Sequence, residues 1–245
     1  MLTALVSAMP QELAALLAQL DTAHSTPHAG RQFHRGRLHG HPVVLVLSGI
    51  GKVAAATTAA LLVERFEVDR LVFTGVAGGL GAAVRVGDVV VADELLQHDM
   101  DASPLFPRWE VPLTGRARFA TDPALTQALA EAAARVVEDP GHFGPDAVAL
   151  GVEAPRLHRG LVVSGDRFVS TTAESRALQQ SLPDALAVEM EGAALAQVCH
   201  DLGVPFAVLR TVSDRADDSA HVDFTKFIDT VAAKASADIV AHWLA

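Results

Sequence analysis

Apolar positions along the chain recur at two spacings, one suited to buried strands and one to helices packed on them. Leu2 to Ala8 is a mostly apolar run expected to form a strand. Pro10 to Gln19 carries its apolar residues on one helical face, with proline in the first turn. Arg31 to Leu38 and Pro42 to Ser48 flank His39-Gly40 and predict a hairpin. Lys52 to Phe66 predicts a helix and Arg70 to Thr74 a buried strand, with the glycine-rich Gly75 to Gly79 turning the chain after it. Val86 to Leu96 predicts a strand interrupted at Gly87.

From His98 to Thr121 the pattern fails, and Pro104, Pro107 and Pro112 mark an irregular loop of a length usually kept for function or mobility. Asp122 to Val137 reads as an alanine-rich helix, and Glu138 to Pro155 as a second surface excursion. Leu161 to Ser164 predicts a strand, and Thr172 to Gln180 a helix opened by a capping-box-like Thr171-Thr172-Ala173-Glu174. Ala185 to Met190 predicts a strand that stops at Glu191, and Gly192 to Leu202 a helix ended by Gly203 and Pro205. Phe206 to Val212 is a second buried strand that runs into Ser213 and Asp214, and Asp223 to Leu244 predicts a closing helix. Strands alternating with helices give an α/β fold on a mostly parallel sheet, made mixed by the hairpin. There is no internal repeat, linker or low-complexity tract, so residues 1–245 are expected to form a single domain.

Composition narrows the partners. A net charge of −10, with no cluster of Lys or Arg beyond a pair, argues against nucleic acid and against anionic membrane. Half the residues are hydrophobic, yet no apolar run is long enough to span a bilayer. The first residues lack a basic segment and read as strand and helix of the mature fold. A single cysteine, Cys199, cannot make an internal disulfide, which fits a cytoplasmic protein and a packed thiol. A neutral or cationic small molecule is the expected ligand.

Both glycine clusters fail as nucleotide loops. Gly49-Ile50-Gly51-Lys52-Val53 lacks the spacing and hydroxyl of a phosphate-binding loop, and Gly75 to Gly81 is not a dinucleotide fingerprint. His24 and His28 have metal-like spacing, but Pro27 opposes the helix that would align them. His98-Asp99-Met100-Asp101 reads as a solvated loop, and no zinc pattern is present. Neither metal nor cofactor is expected. Glu189, Glu191, Arg210 and Asp214 are different, because ligands of α/β sheets bind outside the carboxyl ends of strands. Charges beside apolar strands are costly without partners or a ligand. Two accounts stand: Glu191 caps its helix while Asp214 pairs with Arg210 or Arg215, or the group receives a ligand.

The stretch VEMEGAALAQVCHDLGVPFAVLRTVSDRAD resembles the signature region of 5′-methylthioadenosine/S-adenosylhomocysteine nucleosidases, members of the nucleoside phosphorylase superfamily. The likeness continues through SAMPQE, SGIGKVAAA, TGVAGGL, VRVGDVVVADE and VVSGDRFV, and weakens around Ser103 to Pro155. It implies a three-layer fold around a large twisted mixed sheet that partly curls on itself. It also implies a nucleoside substrate whose N-glycosidic bond to adenine is cleaved. Asp214 would protonate the purine with Ser213 holding it, which at neutral pH needs a raised pKa. Glu12 would be the base that activates water, with Arg210 positioning water and ribose. Glu191 would accept hydrogen bonds from the ribose hydroxyls, and Met190 would pack on the sugar. Phe168 would stack on the purine and the Val169 backbone would read its edge. Ile50 and Phe224 would line the pocket for the 5′ substituent, although on sequence alone Phe168, Ile50 and Phe224 suit a core better than a binding site. Met9, Val76, Gly78 and Glu189 complete the substrate site. Leu105 and Phe106 would close it from the partner subunit of a homodimer.

The chain departs from the family at Val76, where serine is common, and in the Ser103–Leu113 loop, since it has no tyrosine. A phosphorylase of the same fold would need cations for phosphate, and neither SAMPQE nor TGVAGGL supplies one. Other 5′-modified adenosines, 5′-deoxyadenosine and aminodeoxyfutalosine among them, stay open as substrates. A catalytically silent nucleoside-binding protein is the remaining reading, and it would not need an acid and a base together.

Overall fold

The computed structural model describes residues 1–139, 141–152, 154–217 and 224–245. Its strands are β1 (Thr3–Ser7), β2 (Asp21–His28), β3 (Arg31–Leu38), β4 (His41–Leu47), β5 (Arg70–Gly79), β6 (Val89–Gln97), β7 (Arg118–Ala120), β8 (Leu157–Ser164), β9 (Ala185–Glu189) and β10 (Phe206–Asp214). Its helices are α1 (Pro10–Leu17), α2 (Lys52–Glu64), α3 (Pro123–Val137), α4 (Gly144–Ala149), α5 (Thr172–Ser181), α6 (Gly192–Leu202), α7 (Phe224–Phe227) and α8 (Ala233–Leu244). The sheet runs β10-β6-β8-β9-β5-β1-β4-β3-β2, with β7 beside β6. A further pairing of β10 with β5 closes the first five of these strands into a ring. Both α/β alternation and a mixed sheet that curls on itself are therefore present.

Helices cover both faces. Leu62, Phe73, Leu95, Leu195 and Val208 belong to the layer between the sheet and the α2–α6 side. Leu5, Leu16, Leu45, Leu129 and Ile239 fill the layer under α1, α3 and α8. Burying each such side chain stabilises the fold by about 1.5–3 kcal/mol before entropy is counted. The helix starts follow from local chemistry: the Asp122 carboxylate accepts from the Leu125 amide at 2.8 Å, and the Thr171 hydroxyl from the Glu174 amide at 3.3 Å. Gly203 closes α6 at φ +68°, a conformation that glycine adopts without strain.

Several elements differ from the sequence pattern. The predicted glycine turn at 75–79 is instead a continuation of β5 in extended backbone. Its glycines answer β10: Arg210 lies opposite Gly75 and Asp214 opposite Gly78 in the parallel register. A Cβ on Gly75 would sit 3.1 Å from Arg210 Nη1, so the missing side chain is what admits the guanidinium. The residues of β2 are mostly polar and include Pro27, which suits an edge strand and hides it from a search for apolar alternation. The strand predicted over Val86–Leu96 starts only at Val89, because Gly87 turns at φ +89°. The strand predicted over Leu161–Ser164 begins earlier, at Leu157. The closing helix is not continuous, since a π-helical stretch, Ile228–Ala232, separates α7 from α8. Asp223, its expected first residue, lies outside the described residues.

Candidate active site

The carboxyl ends of β5, β9 and β10 open onto a cavity of about 510 Å³, within the usual range for a small-molecule site. Met9, Ile50, Val76, Gly78, Phe168, Val169, Glu189, Met190, Glu191, Ser213 and Asp214 line it, as the sequence reading expects. Ala8, Ala77, Arg167 and Val188 also line it, and no sequence signal marks them beyond adjacency. Ile50 and Phe168 stand at the mouth, 60 % and 45 % exposed. Glu12 and Arg210 do not line the cavity; they are buried behind it. Phe224 opens α7, but its side chain lies outside the described residues. Leu105, 84 % exposed, and Phe106 lie away from this chain's own cavity.

Glu189 is held by the protein itself. Its Oε1 accepts from the Gly192 amide at 3.0 Å and, through a shorter contact, from the Ser164 hydroxyl. Its Oε2 accepts from Gly192 N at 2.8 Å, Glu191 N at 3.2 Å, and Arg210 Nη2 at 2.7 Å. Ser164 Oγ in turn accepts from the Ala193 amide at 2.8 Å. Glu189, not Glu191, therefore caps α6, which corrects the first of the two accounts of this charge cluster. The second half of that account fails as well. Arg210 spends Nε and Nη2 on Glu189, and Nη1 on the carbonyls of Phe73 and Leu209. Arg215 instead donates to Gly81 O at 3.2 Å. Arg210 has Glu189 and backbone as its partners, so any role with water or ribose is exercised from behind that pair.

Two carboxyls of the cavity wall are left for a ligand. Glu191 accepts from the Gly51 amide at 2.8 Å through Oε1. Burial, then the neighbouring Glu189 charge, pushes its pKa from 4.5 to about 7. Asp214 accepts from Ser213 Oγ at 2.7 Å and from Ala216 N at 2.7 Å, which fixes its plane. Burial raises its pKa, against the pull of those two hydrogen bonds. Behind the wall, Glu12 sits in the first turn of α1, three residues after Met9, and is fully buried. Neither oxygen meets a partner in hydrogen-bond geometry. Burial pushes its pKa from 4.5 to about 7, opposed first by the Arg210 charge and less by the Met9 backbone and the Ser236 hydroxyl. Three carboxyls displaced upward around one cavity form a pattern found where acids and bases work near neutral pH.

Residues 3–245 of the chain match the Phosphorylase superfamily. The 5′-methylthioadenosine/S-adenosylhomocysteine nucleosidase of Geobacillus kaustophilus is 38 % identical over 245 residues, which cover 100 % of this chain and 97 % of that one. The chain belongs to this nucleosidase family. Among solved structures, the family member from Colwellia psychrerythraea in complex with adenine superposes with a TM-score of 0.87. It is 36 % identical, covering 100 % of this chain and 94 % of that one. The Neisseria meningitidis nucleosidase in complex with methylthio-immucillin-A gives a TM-score of 0.83 at 37 % identity, with 98 % of each chain covered. The carboxyls described above thus sit in a nucleosidase fold over the whole chain. Among the described residues no helix is long and apolar enough to cross a membrane.

Proposed function

We propose that the chain hydrolyses the N-glycosidic bond of 5′-methylthioadenosine and S-adenosylhomocysteine, releasing adenine and the 5′-substituted ribose. The carrying observation is the pairing of two buried carboxyls of raised pKa, Asp214 in the cavity wall and Glu12 behind it. Adenine leaves poorly as an anion, so the leaving base must be protonated while the cationic ribosyl centre is met by a nucleophile. Asp214 is the acid: its raised pKa keeps a proton available, and Ser213 and Ala216 hold the carboxyl in one orientation. Glu12 is the base that takes a proton from the attacking water. Glu191 keeps one oxygen on Gly51 and offers the other to the ribose hydroxyls. Phe168 and Val169 take the purine, Met190 packs on the sugar, Met9 and Val76 complete the substrate wall, and Ile50 lines the pocket for the 5′ substituent, a role also expected of Phe224.

Water is favoured over phosphate because the site is poor in cations. Arg167 is the one cationic residue among the described lining residues; it lies on the rim, 78 % exposed, and pairs with Glu174. Arg210 is committed to Glu189, and an ionised Glu12 would repel a phosphate. The highly exposed Leu105 supports a homodimer in which it and Phe106 close the partner's pocket. The buried Cys199 thiol, pushed up to about 12 by burial, supports a packed residue and a cytoplasmic setting. The deciding experiment is adenine release from methylthioadenosine with and without phosphate. Release in both establishes hydrolysis; release only with phosphate, as a ribose 1-phosphate, makes the chain a phosphorylase. Release from other 5′-modified adenosines alone would move the substrate and leave the chemistry intact.

A further inference from the structure

The Gly49–Lys52 turn and the His98-Asp99 pair, both of which fail as phosphate or metal motifs, meet beside the cavity. Lys52 donates its backbone N–H to Asp166 Oδ1 at 2.7 Å. Asp166 donates its own N–H to Asp99 Oδ2 at 2.9 Å, and Asp99 Oδ1 accepts from Lys52 Nζ at 2.6 Å. The three bonds close a ring in which every residue takes part twice. The members come from three separate segments: the first turn of α2, the exit of β6 and the exit of β8. Two of those segments carry cavity walls. Ile50 precedes Lys52 by two positions, while Phe168 and Val169 follow Asp166. Between Ile50 and Lys52, the Gly51 amide is the group that holds Glu191 Oε1. Gly51 has no side chain with which to cap α2, so Asp166 and Glu191 supply that service from outside, at the positive end of the helix.

We propose that Lys52, Asp99 and Asp166 form a positioning ring that fixes the Ile50 wall against the Phe168 wall and thereby aims Glu191 at the ribose. This rests on the hydrolase reading of the same cavity. An exposed ion pair contributes little, but here the Lys52 side chain is only 17 % exposed and the Asp99 carboxylate is also bound by the Asp166 amide. Loosening any one bond frees the 49–52 turn, and with it the Gly51 amide that orients Glu191. The cost should fall on substrate binding, because the ring touches neither Asp214 nor Glu12.

The test is a double-mutant cycle in the full chain, with Lys52→Met, Asp99→Asn and the combination, each checked for native circular dichroism. The expected result is a rise of about tenfold in KM for methylthioadenosine in either single variant, with kcat within about twofold. The double variant should be no worse than the worse single, because both break the same ring. Lys52→Arg should recover most of the loss. Adenine dissociation constants from calorimetry should follow the same non-additive pattern. A purely structural pair would lower the unfolding temperature and leave KM and adenine affinity unchanged in the folded variants, and that outcome overturns the proposal, as do strictly additive effects. If the wild type binds adenine but releases none, the hydrolase reading fails alone and the adenine cycle decides the ring. If the wild type does not bind adenine, both fall.

Discussion

Arg210 and Glu189 form an ion pair at 2.7 Å with side chains only 1 % and 2 % exposed, and the guanidinium also lies 4.3 Å from the Phe73 ring centre. The pair joins β9 to β10 at the back of the cavity and absorbs the charge of one of the four carboxylates there. Both Glu189 oxygens are taken by protein donors, so this carboxylate has no acceptor capacity to spare for a ligand. Removing one partner leaves the other buried and uncompensated. Glu189→Ala should therefore lose about 3–5 kcal/mol of stability, read as a lower urea midpoint. A midpoint equal to that of the wild type would mean that Arg210 finds another counter-charge and that the pair does not hold the strands together.

Asp214→Asn should fold normally and lose turnover. The Asn oxygen can still accept from the Ala216 amide, and its amide can donate to the Ser213 hydroxyl, which rotates to accept. The geometry survives and the proton source does not. The expected loss in kcat is roughly 10²–10⁴-fold, with adenine affinity within a few-fold of the wild type. Turnover near the wild-type level would remove Asp214 from the acid role.

Much of this fold and site is legible in the sequence. The apolar runs of β1, β4, β9 and β10 mark the buried strands, Gly203 with Pro205 marks the end of α6, and the carboxylates lie where strands stop. Three features of the site were not legible, each for a physical reason. The glycines of β5 look like a turn because sequence spacing cannot show that β10 pairs there in parallel and lays Arg210 and Asp214 against them. The division of labour between Glu189 and Glu191 depends on which carboxylate reaches the Gly192 amide, a matter of backbone direction after β9. Lys52, Asp99 and Asp166 are scattered along the chain, and only tertiary structure joins them.

Glu12 should make stability fall as pH rises. Its pKa stands at about 7 in the fold against 4.5 ordinarily, so the folded chain holds the proton more tightly than the unfolded chain does. The contribution is present in full below 4.5 and is lost as pH rises through about 7, by at most about 3 kcal/mol. Glu12→Gln cannot ionise and should flatten that dependence, becoming more stable than the wild type at mildly alkaline pH while losing turnover. Urea midpoints of both proteins across the range from acid to mildly alkaline pH test this. Parallel curves would show that Glu12 is ionised in the fold without penalty, and would remove the burial argument for its basicity.

Gly78→Ala should damage the site without replacing any ionisable group. A Cβ there would lie 2.9 Å from Ala216 Cβ and 3.0 Å from Asp214 Oδ1. The aspartate cannot yield freely, because Ser213 and Ala216 hold both of its oxygens. Relief must come from moving β5 away from β10 or from turning the acid out of line. The first costs about 1–3 kcal/mol in stability, and the second can cost roughly 10²-fold in kcat/KM. Gly141→Ala is the matching control, since the nearest atom to its new Cβ is 3.5 Å away, an ordinary contact in a surface turn. Loss of kcat/KM in Gly78→Ala with little change in Gly141→Ala would show that the strand register itself aims the acid. Wild-type kcat/KM in Gly78→Ala would mean that Asp214 has room to move, and that its orientation is not set by the packing of β10 on β5.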